Sequence, residues 1–326
     1  LKINMKKFTF CSFILFTGLL FTDEAEKTWF GDPNLQGTWS NQSLTSLERP
    51  DEIENLIISD QDAARYAFYY QQFLEAADGE FEVGEQIKAA DDPGGYNTEW
   101  MDPGTQLLKI EDNFRSSVIT YPEDGKLPRK LWRWAINGPQ TVYKMFVRAD
   151  HPEERSLGER CIVGFGSSGG PPMLNVLYNN NYQIIQSPGY VVILVEMNHD
   201  ARIIKIDGQH NPENMKPWLG DSIGYWEGET LVVKTKNMHP QQEFRAGIRH
   251  QIFISQDALI EERFTRTSSD EILYQFIVND DKFYNDIWKG EMLLRKTDGK
   301  IYEYACHEGN YAMENILAGA RAEEKQ

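Results

Sequence analysis

The run from Tyr178 to Gly208 constrains the fold of this chain more than any other stretch. Three segments rich in Ile, Val and Tyr follow one another there, at 181–187, 190–197 and 201–207. Segments of this length and composition predict β-strands. Only the dipeptide Pro188-Gly189 separates the first two, and a turn this short requires neighbouring strands to pair antiparallel.

The same pattern continues to about residue 305 without a long helical segment between the strands. Further strands are predicted at 222–226, 230–236, 250–255, 259–267, 271–279, 287–297 and 301–305. Short strands separated by turns indicate a mainly β fold, either an antiparallel up-and-down barrel of the calycin type or a sandwich. Closure removes exposed sheet edges, so a barrel with an accessible interior is favoured. Helices are predicted after a Ser59 cap and at 310–323.

The net charge of the chain limits the kinds of molecule that it can bind. The 326 residues carry a formal net charge of −17. Nucleic-acid binding requires basic patches that neutralise phosphates, so the sequence predicts no nucleic-acid partner. A surface this acidic also repels anionic lipid head groups.

The N-terminus has the pattern of a targeting signal. Lys6 and Lys7 precede an apolar run at 8–21, which is too short to span a bilayer and matches the core of a signal peptide. We therefore predict a signal peptide at 1–25, export to the periplasm or the extracellular space, and no membrane span in the mature protein. An uncleaved anchor is the alternative. The mature chain then divides into an extension at 26–158 and a barrel with a C-terminal helix at 159–326.

Two cysteines remain after this segment, Cys161 and Cys306. Two cysteines of an exported protein more often pair than stay free, so a disulfide between them is predicted. Neither cysteine lies in a Cys-x-x-Cys motif or a zinc-ligand spacing. No metal ion and no organic cofactor are predicted.

A glycine-rich loop at 164–172 contains the sequence GSSGG at 166–170. This matches the Gly-x-Ser-x-Gly pattern of a nucleophile elbow, which needs a helix directly after its serine. The next residues, Pro171 and Pro172, are incompatible with that helix. We interpret the segment as a flexible or ligand-covering loop and not as a hydrolase nucleophile.

Charged side chains in phase with aliphatic ones are the candidate ligand-binding groups. Glu196 and Glu262 each share a strand face with aliphatic residues, because side chains alternate along a strand. A buried carboxylate needs a partner, and Arg202 is the nearest candidate. An ion pair that only stabilises the barrel is the alternative. The residues predicted to orient a ligand are Asn180, Tyr182, Glu196, Arg202 and Glu262.

Two groups of residues are candidates for acid–base catalysis. His199 and Asp200 lie in a turn at a strand end, where barrel openings collect functional groups. His307 and Glu308 directly follow Cys306, so the disulfide would hold them near the glycine-rich loop. A histidine beside a carboxylate can act as a general base. A solvated turn without function is the alternative for the first group.

Several motifs resemble an uncharacterised family of exported bacterial proteins. They include GERCI at 158–162, WLGDSIGYWEGETLVV at 218–233 and IYEYACHEGNY at 301–311. The resemblance implies export and one family domain over most of the mature chain, and it implies no activity. The Gly-x-Trp sequence at 37–39 resembles the opening of lipocalin barrels, in which the tryptophan fills the closed end.

Three functions follow from this reading. We expect an exported barrel protein that binds a small, largely apolar molecule in its interior. The first alternative is a cofactor-independent hydrolase, lyase or isomerase, with a His/Glu or His/Asp acid–base site at the barrel mouth. The second is a structural or interaction module in which the charged residues form only polar pairs in the core.

Overall fold

The computed structural model describes residues 26–77, 101–146, 148–247 and 250–325. The helices are α1 (Asp60–Ala77), α2 (Leu131–Phe146) and α3 (Tyr311–Glu323). The strands are β1 (Gly37–Ser40), β2 (Ile57–Ile58), β3 (Lys109–Ile110), β4 (Asn113–Arg115), β5 (Ile119–Tyr121), β6 (Asn181–Ser187), β7 (Tyr190–Val195), β8 (Ala201–Ile206), β9 (Asp221–Glu227), β10 (Thr230–Lys236), β11 (Phe244–Gly247), β12 (His250–Phe253), β13 (Leu259–Arg266), β14 (Glu271–Asn279) and β15 (Trp288–Lys296). Within these residues no helix combines the length and apolar character needed to cross a bilayer.

Nine strands form a closed barrel in the order β1-β6-β7-β8-β9-β10-β13-β14-β15, and the ladder between β1 and β15 closes it. The predicted barrel with flanking helices is therefore confirmed. The barrel pairs are antiparallel except for β8 and β9, which run parallel. The connection at 207–220 therefore has to return along the length of the barrel before β9 begins.

Strand β1 comes from the part of the chain that the sequence assigns to an N-terminal extension, and it pairs with both β6 and β15. Its Trp39 is fully buried, and its indole nitrogen donates to the Leu35 carbonyl oxygen at 3.0 Å. The Arg266 guanidinium lies 5.8 Å from the Trp39 ring centroid. Trp39 thus fills the barrel end at which the tight turns 188–189 and 228–229 lie.

Alternation of side chains decides which residues fill the barrel. In β13 the buried residues are Ile260, Glu262 and Phe264, as the sequence phase predicts. In β7 the fully buried face is that of residues 191, 193 and 195. Glu196, predicted within this strand, lies just beyond its end, where the backbone turns, and it is buried there.

Two segments differ from the strand pattern in the sequence. Residues 131–147, which are ambiguous between strand and helix in the sequence, begin a helix at Leu131. Residues 301–305 form no strand, because they pair with no neighbouring strand and Tyr302 is largely exposed. At α1 the Ser59 hydroxyl accepts from the Asp62 amide at 3.1 Å, which confirms the predicted cap. The predicted end of this helix at 78–79 lies outside the described residues.

Candidate functional site

The longer connections collect at one end of the barrel, opposite Trp39. We call it the loop end, because it holds the glycine-rich loop, the 196–200 turn and the β11–β12 hairpin. Long loops on a rigid barrel are where binding groups concentrate. The site residues predicted from the sequence are therefore expected at this end.

The predicted disulfide joins Cys161 to Cys306, with their Cα atoms 5.8 Å apart. It fixes the segment before α3 against the 158–161 segment. Asn310 adds to this connection, because its side-chain amide donates to the Glu159 carbonyl oxygen at 2.6 Å. The disulfide therefore positions one wall of the loop end.

The glycine-rich loop is held in place by side chains of the barrel. Its Ser167 amide donates to His250 Nε2 at 3.0 Å, and the Tyr182 hydroxyl donates to the Ser168 carbonyl oxygen at 2.9 Å. Both serines are buried, and no helix follows them, as the two prolines predict. The loop is thus pinned to the barrel, and neither serine is presented as a nucleophile.

An ion pair lies under this loop. Arg202 Nη1 donates to Glu262 Oε1 at 2.9 Å, Nη2 contacts the other carboxylate oxygen, and both side chains are fully buried. The Tyr274 hydroxyl also donates to Glu262 at 2.7 Å and accepts from the Met173 amide at 2.8 Å. The partner that Arg202 finds is therefore Glu262 on β13, and the pair supports the loop through Tyr274.

Arg245 on β11 brings a second cation into the same region. It is 2% exposed and donates to the Pro171 carbonyl oxygen at 2.7 Å and to the Ser167 hydroxyl at 3.2 Å. Burial, together with the nearby charge of Arg202, lowers the pKa of Arg245 to about 9. Glu262 pairs with Arg202 and acts on Arg245 only at longer range, so the cluster of these three side chains carries an excess positive charge.

The other predicted ligand-binding residues have different surroundings. Asn180 is buried and hydrogen-bonds the backbone of Val176 and Asp102. Glu196 accepts from the Asn181 side-chain amide at 2.7 Å. Tyr182 lies near Arg202, and its hydroxyl supports the glycine-rich loop that covers the ion pair. The structure therefore brings together Tyr182, Arg202 and Glu262 but not the other two.

The predicted catalytic residues also lie in different surroundings. His199 is exposed, and its Nε2 accepts from the Tyr304 amide at 3.2 Å. Asp200 is buried behind the glycine-rich loop and accepts from the Gly164 amide at 2.7 Å. His307 and Glu308 are exposed. Among the described residues no hydrogen bond or ion pair joins either of them to His199 or Asp200.

A cavity of about 840 Å³ opens beside the glycine-rich loop. Its walls come from the segments 153–160, 163–166, 176–178 and 240–247, together with Met197, Gln251 and Phe253. A Cβ on Gly158 would lie 2.5 Å from the Phe165 ring, so the glycine of the GERCI motif lets this wall pack closely. Sequence reasoning missed the cavity; the GERCI motif, which includes Arg160, lies in one of its walls but was matched only as part of the family resemblance.

Cations outnumber unpaired carboxylates around the cavity. Three of its four acidic residues are paired: Glu154 with Arg148, Glu159 with Arg155, and Glu243 with Lys282. The fourth, Glu153, forms no ion pair with a described residue. Arg160 also lines the cavity, and within the described part of the chain its side chain forms no ion pair or hydrogen bond. The Nε atom of the buried Arg155 has no hydrogen-bond partner there either. The site therefore has capacity to accept negative charge.

Searches of protein-family models, of curated proteins and of solved structures returned no match to this chain. The resemblance to exported bacterial proteins stays a prediction. Among the described residues no cluster of three His, Cys, Asp or Glu side chains is arranged to hold a metal ion.

Asp200 is expected to make stability depend on pH. Burial raises its pKa to about 6, although the Gly164 amide and Asn198 favour the carboxylate. The folded state then holds a proton that the unfolded chain has lost, so the free energy of unfolding falls as pH rises from about 4 to 6. Between about pH 4 and pH 6, the free energy of unfolding of the wild type should fall by roughly 1–3 kcal/mol more than that of Asp200→Asn.

Urea unfolding at a series of pH values measures this difference. Asp298→Asn, which removes an exposed carboxylate, serves as the control and should follow the wild type. A wild type and an Asp200→Asn variant with the same pH dependence would show that Asp200 titrates normally in the folded protein.

Proposed function

We propose that this protein binds a small, mainly apolar molecule that carries an acidic group, in the cavity at the loop end. The observation that carries the proposal is a cavity whose walls combine aromatic and aliphatic side chains with Arg160, an arginine without an ion-pair partner among the described residues. Its volume of about 840 Å³ falls within the range of small-molecule sites, which bury apolar ligands and orient them with a few polar groups.

The apolar part of the ligand would pack on aromatic and aliphatic side chains. Phe165, Phe244 and Phe253 come from the glycine-rich loop and the hairpin, and Leu157 and Met197 line the cavity with them. Phe244 and Phe253 pack against each other, with their ring centroids 4.9 Å apart. This pair joins the two strands of the hairpin. Phe253 also stacks on Phe283, with ring centroids 4.6 Å apart, which ties the hairpin to the connection between β14 and β15, so the apolar surface is formed before a ligand arrives.

The acidic group would interact with Arg160, which has no carboxylate partner among the residues that the structure describes. Arg245 contributes at longer range, because its buried charge is only partly balanced by Glu262. A planar guanidinium suits a carboxylate or a phosphate, since it donates two parallel hydrogen bonds. A neutral ligand of the same shape would leave this positive charge without a partner.

This assignment moves the ligand from the barrel interior to the loop end. The interior is filled by large side chains of the barrel itself, which include Trp39, Tyr182, Phe264, Phe276 and Trp288. In the proposed function Tyr182, Arg202 and Glu262 support the loop above them. The export that the N-terminal segment predicts is part of the proposal, and the disulfide supports it because disulfides persist in oxidising compartments.

Binding of dodecanoate and of dodecanol to the purified protein tests the proposal. The two probes share an alkyl chain and differ in charge. We expect the wild type to bind dodecanoate at least about tenfold more tightly, as one charge-assisted hydrogen bond allows. Arg160→Gln should remove most of this preference and leave the affinity for dodecanol nearly unchanged. Isothermal titration calorimetry measures both affinities.

Arg263→Gln is the matched control, because Arg263 pairs with Glu227 near the opposite end of the barrel. It should retain the preference for the carboxylate. Equal affinity of the wild type for the two probes would contradict the acidic group. Failure of both to bind would reject an apolar chain of this kind as the ligand.

A further inference from the structure

The outward face of α2 is apolar. Leu131, Trp132, Ile136 and Tyr143 are 75%, 57%, 51% and 56% exposed, and the exposed Pro139 lies between them. Positions spaced by three and four residues share one side of a helix. The helix therefore presents a continuous apolar surface, which we call the α2 face. Contiguous exposed apolar surfaces of this kind mark sites of protein or membrane interaction.

The opposite side of α2 is fixed to the barrel. The Trp134 ring meets Phe253 edge to face, with centroids 4.8 Å apart, and its indole nitrogen donates to the Phe283 carbonyl oxygen at 3.3 Å. The Arg129 guanidinium lies 4.7 Å from the centre of the same ring. These contacts fix the rotation of the helix about its axis, so the α2 face is directed away from the barrel.

The segment that carries α2 differs in charge from the rest of the chain. Residues 126–148 contain six basic residues and no acidic one. The remainder therefore carries −23, because the total of −17 includes these six positive charges. Lys126, Arg129 and Arg148 are paired with carboxylates from other segments. The cations that remain beside the α2 face are the most relevant to a partner.

Two of these cations lie at the N-terminal end of the helix. The Arg133 guanidinium lies over the Trp132 ring, 4.2 Å from its centroid, and the Lys130 ammonium bonds a backbone carbonyl, that of Asp281. Within the described residues neither forms an ion pair. The α2 face is thus apolar and is bordered by cations.

We propose that the α2 face docks the protein on a membrane surface that contains anionic lipids. A helix with Trp and Leu on one side and Lys or Arg at its border is the type that lies in the interface between water and lipid. Anionic head groups attract the bordering cations, and they repel the acidic remainder of the protein. These opposed charges orient the molecule with α2 toward the lipid.

A second copy of the chain fits this surface less well. A symmetric dimer through the α2 face would bring Lys130 and Arg133 close to their own copies, and like charges at an interface oppose association. The proposal does not depend on the small-molecule ligand. It does place the docked helix beside the cavity, because Phe253 contacts Trp134 and also lines the cavity.

Cosedimentation with lipid vesicles tests the proposal. One set is pure phosphatidylcholine, and the other contains about one-third phosphatidylglycerol, which supplies the negative surface potential. The wild type should bind the anionic vesicles at low salt and lose binding as salt is raised. Trp132→Ser/Ile136→Ser should weaken binding about tenfold or more, and Arg133→Gln should weaken it less and reduce its salt dependence.

Phe68→Ser is the matched control, because Phe68 on α1 is 57% exposed, as Trp132 is. It should bind vesicles like the wild type, and circular dichroism checks that all variants fold. The proposal is overturned if the wild type does not bind anionic vesicles at low salt, or if Trp132→Ser/Ile136→Ser binds them equally well. A wild-type dimer in sedimentation that this double variant abolishes, without vesicle binding, would assign the α2 face to a second copy.

Discussion

Glu262→Gln is expected to lower the free energy of unfolding by about 3–5 kcal/mol, the cost of breaking a buried ion pair. Gln keeps the size of the side chain and an oxygen for the Tyr274 hydroxyl, so little packing is lost. The loss comes from charge, because Arg202 and Arg245 would both stay buried without an anion. Urea unfolding followed by tryptophan fluorescence measures the change.

The double variant Arg202→Met/Glu262→Leu tests whether the loss of stability comes from the unbalanced buried charge or from the loss of the ion pair itself. It removes both members of the pair and leaves Arg245 as the only charge of the cluster, which is the net charge of the wild type. We expect it to regain much of the lost stability, because a buried ion pair can often be replaced by apolar residues. The exposed pair of Glu227 and Arg263 provides the control, and Glu227→Gln should change stability little. A double variant less stable than Glu262→Gln would contradict this account.

Loss of the disulfide is the second large effect. Cys161→Ser/Cys306→Ser should lower the free energy of unfolding by about 3–5 kcal/mol, because the bond closes a long loop and so restricts the unfolded chain. The sequence separation of the two cysteines is 145 residues. The variant should also bind dodecanoate more weakly, since Arg160 lies next to Cys161 on the wall that the bond fixes.

Reduction of the wild type provides an independent check. Wild type unfolded in the presence of dithiothreitol should show the same urea midpoint as the double serine variant, and dithiothreitol should not change that variant. Labelling of the oxidised protein with a thiol reagent should modify neither Cys161 nor Cys306. A double serine variant that unfolds at the midpoint of the oxidised wild type would show that the bond contributes no stability.

Most of the barrel could be predicted from sequence because each strand carries its own signal. Strands β6, β10 and β14 begin and end at the predicted residues, because turn-forming residues bound each run of residues that favour strands. The position of α2 could not be predicted in this way. Trp132 and Trp134 suit a strand or a helix equally, and the contact of Trp134 with Phe253 decides between them.

The site was harder to predict, because its walls are distant in sequence. Glu196 and Glu262 both share a strand face with aliphatic residues, and only the register of the closed barrel shows that Glu262 meets Arg202. The cavity combines a loop before β6 with the β11–β12 hairpin, and no local pattern connects them. Arg160 is adjacent to Cys161, so the predicted disulfide was the nearest sequence signal to this residue.

The parallel pair of β8 and β9 follows from the number of strands in the barrel. A ring with an odd number of strands cannot alternate direction all the way round, so its parity requires one seam. In this chain the seam lies between β8 and β9, and the return segment at 207–220 makes it possible. Asp221 secures the middle of that segment by accepting from the Asn211 amide at 2.7 Å and from His210 at 3.0 Å. A two-residue turn in its place would reverse β9 and all the later strands, and the parallel pair would then have to form between β1 and β15. A ring with one strand more or fewer could close without any parallel pair.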